Sequence, residues 1–241
     1  MAQGFRRDQG IIARDAERRS GIDRSAVFTA INVTGCGQAI RNAASVLISF
    51  PIRHMAKEQF FHPESADLLR TLDEAAHRSG VSRGQAFDDF LHMLVCSLSG
   101  GRMEQQYLEV VKRHSHGKPG KRGCDSLAEL FGRTVAAMEE TRDEMKDILG
   151  DLFQGSITYG EAGQFFSPAP VCRMMARMMV SDVPEEEQHE TKRVCDPASG
   201  SGRMLLAVAE IQPHWTFVGK DIDLRCVRMT AINLALRNLP R

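Results

Sequence analysis

The chain has 241 residues, and its 42% hydrophobic and 26% charged residues are the balance of an ordinary globular protein that buries a core. Its 31 basic residues are matched by 31 acidic ones, which excludes an overall basic surface for nucleic acid and leaves only a local basic patch. Six cysteines without short paired spacing argue against a zinc knuckle or a disulfide scaffold and favour a reducing cytoplasm. The apolar run at 46–50, like every other apolar run in the sequence, is too short to cross a membrane.

The first two regions differ in hydrophobic pattern. Residues 1–42 mix arginine with acids and glycine and lack a sustained apolar period. We predict a poorly ordered arm there, and a solvated tail is favoured over an arm that contacts phosphates. Residues 43–154 are predicted to form a helical domain, because apolar residues recur there at the period of a helix. These apolar stripes indicate the core of a helical bundle rather than a cofactor site.

Four helices are predicted in this domain from apolar spacing and from residues that start or stop helices. They run from Pro63 to Gly80, from a capping box at Ser82 to Gly100, over about 102–113, and from Asp125 onward. The last one is expected to be long, with an inward face that extends from Leu127 to Ile148.

A basic segment connects the third and fourth predicted helices. The chain from Lys112 to Gly123 carries five lysine and arginine residues and no acid. Such a segment can neutralise phosphates, so DNA contact is one interpretation. A solvated loop is the more usual role of a charge run and is favoured here.

The pattern changes near residue 155, and we predict an α/β unit over 155–241. A glycine-rich loop leads to a helix at 168–180, with Ser167 as its N-cap and Pro168 in its first turn. An acidic linker follows at 182–190. Four methionines of this helix are predicted to form a buried face: Met174, Met175, Met178 and Met179.

The most informative segment lies between the two predicted strands. The first strand ends at Asp196, and a turn that contains Gly200 and Gly202 leads into a helix. Glycines at these positions let the backbone approach a ligand closely, and the helix start adds donors for a polar group. The second strand is predicted over 216–221 and ends at Asp221. In nucleotide-binding βαβ units an acid at this place accepts hydrogen bonds from ribose hydroxyls.

The identity of the nucleoside follows from two departures from a dinucleotide site. A dinucleotide fingerprint would have a third glycine where this chain has Leu205. The acid ahead of the glycines, Asp196, would repel a pyrophosphate but can reach an ammonium group. S-adenosylmethionine combines a ribose and an adenine with a methionyl ammonium and carboxylate, so we predict it as the cofactor. No metal site is predicted.

Three motifs in this order resemble those of N6-adenine DNA methyltransferases, most closely the modification subunits of type I restriction systems. They are Gly-Gln-Phe-Phe-Ser-Pro at 163–168, Asp-Pro-Ala-Ser-Gly-Ser-Gly at 196–202, and Phe-Val-Gly-Lys-Asp-Ile-Asp at 217–223. The resemblance implies a helical domain followed by the first part of a Rossmann-like methyltransferase sheet that binds S-adenosylmethionine. It also implies double-stranded DNA as the substrate and a specificity or restriction subunit as a candidate partner.

The same resemblance implies roles for eight residues of one cofactor site. They are Phe166, Ser167 and Pro168 in the cofactor-clamping motif, Asp196, Gly200 and Gly202 in the methionine-binding turn, Asp221 at the ribose, and Ile222 beside the adenine. Asp223 is expected instead to cap the following helix, which is predicted to run to Asn238.

One family element is missing. The catalytic Asn/Asp/Ser-Pro-Pro-aromatic tetrapeptide has no counterpart, since no Pro-Pro pair occurs in the chain, so the catalytic residues stay unknown. A truncated enzyme, a split enzyme and a non-catalytic relic are the three interpretations, of which truncation is favoured. We therefore expect that this chain alone does not transfer methyl groups efficiently. Methylation of RNA or protein, and a binding or assembly module without catalysis, are the alternative functions.

Overall fold

The computed structural model describes residues 60–141, 143–158, 166–180 and 190–240. The predicted arm at 1–42, most of the glycine-rich loop and nearly all of the acidic linker lie outside the described residues. The domain boundaries therefore stay a prediction.

Helices dominate the described part of the chain, and two short strands interrupt them near its end. In chain order the elements are α1 (Pro63–Ser79), α2 (Arg83–Ser97), α3 (Glu104–Arg113), α4 (Gly123–Glu140), α5 (Ile148–Leu152) with a π-helical turn at Phe153–Thr158, α6 (Ala169–Val180), β1 (Arg193–Asp196), α7 (Arg203–Ala209), β2 (Thr216–Gly219) and α8 (Leu224–Leu236). None of these helices combines the length and the apolar character needed to span a membrane.

The first two helices begin as their sequences predict, and α1 also ends as predicted, while α2 ends at Ser97 rather than at Gly100. Helix α1 stops at Gly80, whose φ of 67° lies in the left-handed region that glycine tolerates. Helix α2 is capped by Ser82, whose hydroxyl accepts a hydrogen bond from the Gln85 N–H at 3.2 Å. The start of α1 is held from a distance, because the buried carboxylate of Asp151 accepts the N–H groups of Phe61 and His62 at 2.9 and 3.0 Å.

The prediction of one long helix from Asp125 to Ile148 was wrong. Helix α4 starts at Gly123, because the Asp125 carboxylate accepts the Arg122 N–H at 2.9 Å and so caps the helix from within its first turn. It ends at Glu140, where the Thr141 hydroxyl and the Arg237 guanidinium take up carbonyl groups of its last turn. Ile148 is buried, but it begins the separate helix α5.

The α/β class is confirmed, while the Rossmann-like sheet stays a prediction. Strands β1 and β2 pair in parallel, with Arg193 opposite Thr216 and Asp196 opposite Gly219, and α7 connects them. Strand β2 ends at Gly219 rather than at Asp221, so the acid lies two residues past the strand.

The prediction of a buried methionine face on α6 was also wrong. Met174, Met175, Met178 and Met179 are 53%, 41%, 67% and 74% exposed. Helix α6 instead packs through Cys172, Ala176 and Val180, which recur every four residues and are buried. The face of α6 with small side chains therefore packs against α7. Small side chains let the two helices approach more closely than the methionines would allow.

Candidate functional site

The glycine turn and the acid after β2 meet directly. The turn between β1 and α7 contains Gly200 and Gly202, with φ of 55° and 88° in the region that favours glycine. The Gly200 N–H donates a hydrogen bond to one carboxylate oxygen of Asp221 at 2.8 Å. The other oxygen of that carboxylate accepts the Asp223 N–H at 2.9 Å. Two residues that the sequence predicts to share one site are thus in contact.

Phe166 closes this turn from the other side. A Cβ on Gly200 would lie 2.9 Å from two carbons of the Phe166 ring, so only glycine allows this approach without a shift. The ring also stacks on Phe153, with centroids 5.8 Å apart, and the Arg203 guanidinium lies 5.8 Å from it. The structure therefore brings the predicted clamping segment against the predicted methionine-binding turn.

Ser167 and Pro168 lie next to Phe166 and are both exposed. The Ser167 carbonyl accepts a hydrogen bond from Arg203 at 3.1 Å, which ties this segment to the start of α7. The Pro168 carbonyl accepts the Val171 N–H at 2.9 Å, so the first turn of α6 begins here. The predicted helix start is correct to within one residue.

Contacts with Thr230 of α8 explain why positions 202 and 219 are glycines. Its hydroxyl donates to the Gly200 carbonyl at 3.0 Å. A Cβ on Gly202 would lie 3.2 Å from Thr230, and one on Gly219 would lie 2.6 Å from its methyl group. Helix α8 can therefore pack on the turn only because both positions lack a side chain. The sequence prediction missed Thr230, since nothing local marks a polar residue on a helix face as a partner of a distant turn.

Asp147 is the second residue that sequence reasoning missed. It is buried, and its carboxylate accepts hydrogen bonds from Arg203 at 3.0 Å, from Asn233 at 2.9 Å and from the hydroxyl of Ser201. It also caps α5 by accepting the Gly150 N–H at 2.9 Å. This network fixes the glycine turn and α7 to the helical part of the chain.

The open groups of the site fit a nucleoside. The Asp221 carboxylate has about four acceptor positions, of which the two backbone N–H groups occupy two. Ile222 is fully exposed beside it. At the same sheet edge, the Asp196 backbone carbonyl accepts the Lys220 N–H at 2.8 Å, and one Asp196 carboxylate oxygen accepts the Ala198 N–H at 3.0 Å. Acceptors for hydroxyl or ammonium groups and an apolar side chain thus lie along one edge.

Cys226 lies beneath this edge and is not a candidate nucleophile. Burial, together with the nearby carboxylates of Asp221 and Asp223, raises the pKa of the Cys226 thiol to about 12. The thiol is therefore neutral at physiological pH. Asp223 caps α8 by accepting the Arg225 N–H at 2.9 Å, which confirms the expectation that it acts as a helix cap.

A strand, a glycine turn, a helix and a second parallel strand followed by an acid define a βαβ unit of an α/β protein. Residues 144–240 match the model of the N-6 DNA Methylase family. The resemblance drawn from the three sequence motifs is thereby confirmed. The roles of the eight predicted site residues in cofactor binding stay predictions.

Two curated relatives are methyltransferases. Type II methyltransferase M.XamI of Xanthomonas campestris pv. amaranthicola is 33% identical over 76 residues, which cover 32% of this chain and 13% of the relative. Release factor glutamine methyltransferase of Coxiella burnetii is 28% identical over 86 residues, which cover 36% of this chain and 30% of the relative. The chain thus spans less than a third of either relative. No solved structure matches the chain.

Proposed function

We propose that this chain carries the S-adenosylmethionine-binding part of an N6-adenine DNA methyltransferase. The observation that supports this most strongly is the contact of the Gly200 N–H with Asp221 and of Phe166 with Gly200. Three separate sequence motifs converge in that contact. The family of residues 144–240 supports methyl transfer as the chemistry.

Each predicted residue has a role that its position allows. Asp221 would accept hydrogen bonds from the ribose hydroxyls through its remaining lone pairs, and the exposed Ile222 would cover one face of the adenine. Asp196 would face the methionyl ammonium across the sheet edge. When bound, S-adenosylmethionine supplies the methyl group on its sulfonium. The chain's own part is to hold the cofactor in one orientation.

Double-stranded DNA is the proposed methyl acceptor, within a restriction–modification system. The similarity to a release factor glutamine methyltransferase is the observation that favours a second candidate, a protein amide. Transfer of a labelled methyl group to unmethylated DNA, RNA and glutamine-containing protein separates these acceptors. Labelling of protein or RNA in place of DNA would contradict the proposal.

Cofactor binding is the direct test. At a cofactor concentration one hundred times its Kd, the free energy of unfolding should rise by about 2.7 kcal/mol. Asp221→Asn should weaken binding about 10- to 100-fold, because it removes charged acceptors for the ribose. The matched control is Asp143→Asn, which removes the charge of an exposed acid and should bind like the parent chain.

Thermal unfolding and titration calorimetry report these effects. An unchanged unfolding temperature of the folded parent chain with S-adenosylmethionine would overturn the proposed function. Equal affinities of Asp221→Asn and the parent chain would instead overturn only the assignment of Asp221 to the ribose.

A further inference from the structure

A cationic loop stands out among the surface features that the cofactor site does not use. We define it as residues 115–122, which connect α3 to α4. Together with Lys112 at the end of α3 it presents three exposed lysines, Lys112, Lys118 and Lys121, and no acid lies between them. The two arginines of this segment are already paired, Arg113 with Asp89 at 2.9 Å and Arg122 with Asp125 at 2.8 Å. None of the lysines has a carboxylate partner within the described part of the chain.

The ends of the cationic loop are held firmly. The His114 carbonyl accepts the Cys124 N–H at 2.9 Å, which closes the base of the loop. The His114 ring is fully buried, with Nε2 at 3.0 Å from Asp89 and Nδ1 at 2.6 Å from the Ser79 hydroxyl. A Cβ on Gly123 would lie 1.8 Å from the same hydroxyl oxygen, so α4 starts in tight contact with α1.

The tip of the loop carries a lysine at each end of one tight turn. The Lys121 N–H donates to the Lys118 carbonyl at 2.9 Å, and Gly120 between them has a φ of 80°. Pro119 at the second position and a glycine with positive φ at the third define a type II turn. In such a turn the first and fourth Cα atoms lie within about 7 Å. Both lysines are exposed and carry like charges, and a row of anions lying opposite would offset the repulsion between them.

We propose that Lys118 and Lys121 of the cationic loop, together with Lys112 at the end of α3, bind the phosphate backbone of double-stranded DNA. This inference rests on the proposed function, and it adds the surface that would hold the substrate. A duplex offers closely spaced phosphates that lysines contact as point charges without reading the bases. A local patch of this kind also reconciles a polyanionic substrate with a chain whose net charge is zero.

The test compares two triple variants of the full chain on a fluorescently labelled DNA duplex over a range of salt concentrations. Lys112→Gln/Lys118→Gln/Lys121→Gln should weaken DNA binding. It should also reduce the slope of the logarithm of the binding constant against the logarithm of the salt concentration by up to about 2.7, since each lost phosphate contact removes about 0.9. The control, Arg70→Gln/Arg133→Gln/Arg177→Gln, removes three exposed charges elsewhere and should keep the slope of the parent chain.

Several results would overturn the proposal. The first is that the parent chain does not bind the duplex. The second is that the lysine variant and the parent chain have equal salt slopes, and the third is that both triple variants lose the same DNA affinity. Equally tight, loop-dependent binding of polyglutamate or of duplex RNA would assign the loop to another polyanion. The S-adenosylmethionine affinity of the lysine variant should be unchanged. If the parent chain does not bind the cofactor but still binds DNA through the loop, the result would count against the proposed function and not against the role of the loop.

Discussion

At the scale of single residues, Asp147 connects more of the molecule than any predicted site residue. Its buried carboxylate joins the start of α5 to Ser201 of the glycine turn, to Arg203 of α7 and to Asn233 of α8. The pair with Arg203 is buried on both sides. A buried charge is tolerated only with such partners, so removal of one leaves the other uncompensated.

Asp147→Asn should therefore destabilise the chain by about 3–5 kcal/mol, because it leaves the Arg203 charge buried without its carboxylate. Urea unfolding measures this loss. The double variant Asp147→Asn/Arg203→Met should recover part of it, since no unpaired charge then remains. A single variant as stable as the parent chain, or a double variant no better than the single one, would show that the network does not hold the turn.

The sequence could predict contacts made within one motif but not those made across the chain. Asp223 is recognisable as a helix cap because the groups it satisfies are its immediate neighbours. The side-chain partners of Asp147 lie 54 to 86 residues away along the chain, so no local pattern indicates them. Gly200 and Asp221 were predictable as a pair only because the βαβ connection brings the ends of both strands to one edge.

At the scale of elements, apolar character alone gave the wrong buried face for α6. The four methionines follow a helical spacing, but the buried side is the one with Cys172, Ala176 and Val180. Close packing between two helices favours small residues at the contact. The hydrophobicity of a residue does not indicate how closely two helices approach each other. Helix α8 shows the same effect at β2, because Thr230 fits only against a glycine at position 219.

Two glycine-to-alanine variants separate packing from backbone flexibility. Gly219→Ala should destabilise the chain by about 1–3 kcal/mol, because the new Cβ would lie 2.6 Å from the Thr230 methyl group and 3.0 Å from the Ser199 hydroxyl. Gly132→Ala should stabilise it by about 0.5–1 kcal/mol, because this position in α4 has open space and a helix favours alanine.

Neither glycine has a positive φ, so backbone strain does not contribute to the difference. Chemical unfolding of both variants beside the parent chain measures it. The close approach of α8 to β2 would be refuted if Gly219→Ala gained as much stability as Gly132→Ala.

At the scale of the whole molecule, α8 belongs to two hydrophobic clusters. Cys226, Met229 and Ile232 belong to the cluster that includes residues of α1, α2 and α5, while Leu234 belongs to the cluster that includes residues of α6, α7 and β2. The hydrophobic pattern predicts a helical segment followed by an α/β segment. It cannot show that one helix completes both cores, because each face of α8 looks like an ordinary apolar stripe.

Two neighbouring acids of α2 respond to this arrangement in opposite ways. Burial raises the pKa of Asp88, against the opposing charge of Arg225 on α8. Burial also acts on Asp89, but hydrogen bonds from His114 and Gln85 and the charge of Arg113 lower its pKa below the ordinary value. The two carboxylates should therefore have opposite effects on the pH dependence of stability.

Asp89→Asn should lower the free energy of unfolding at pH 7 by about 1–3 kcal/mol, since it removes a buried charged acceptor. A lowered folded-state pKa adds stability above about pH 4 that is lost as the pH falls through that pKa, so the deficit should shrink in acid. Asp88→Asn should raise stability at pH 7. A raised folded-state pKa costs stability as the pH rises above about 4, and asparagine cannot ionise, so this gain should also vanish in acid.

Urea unfolding between pH 3 and pH 7 measures both variants against the parent chain. Curves that shift in the same direction at pH 7, or shifts that persist unchanged at pH 3, would contradict the prediction. The charge of Arg225 on α8 acts on Asp88, whereas Asp89 is hydrogen-bonded to His114. Opposite shifts would therefore show that α2 carries one unfavourable charge toward α8 and one favourable charge toward the base of the cationic loop.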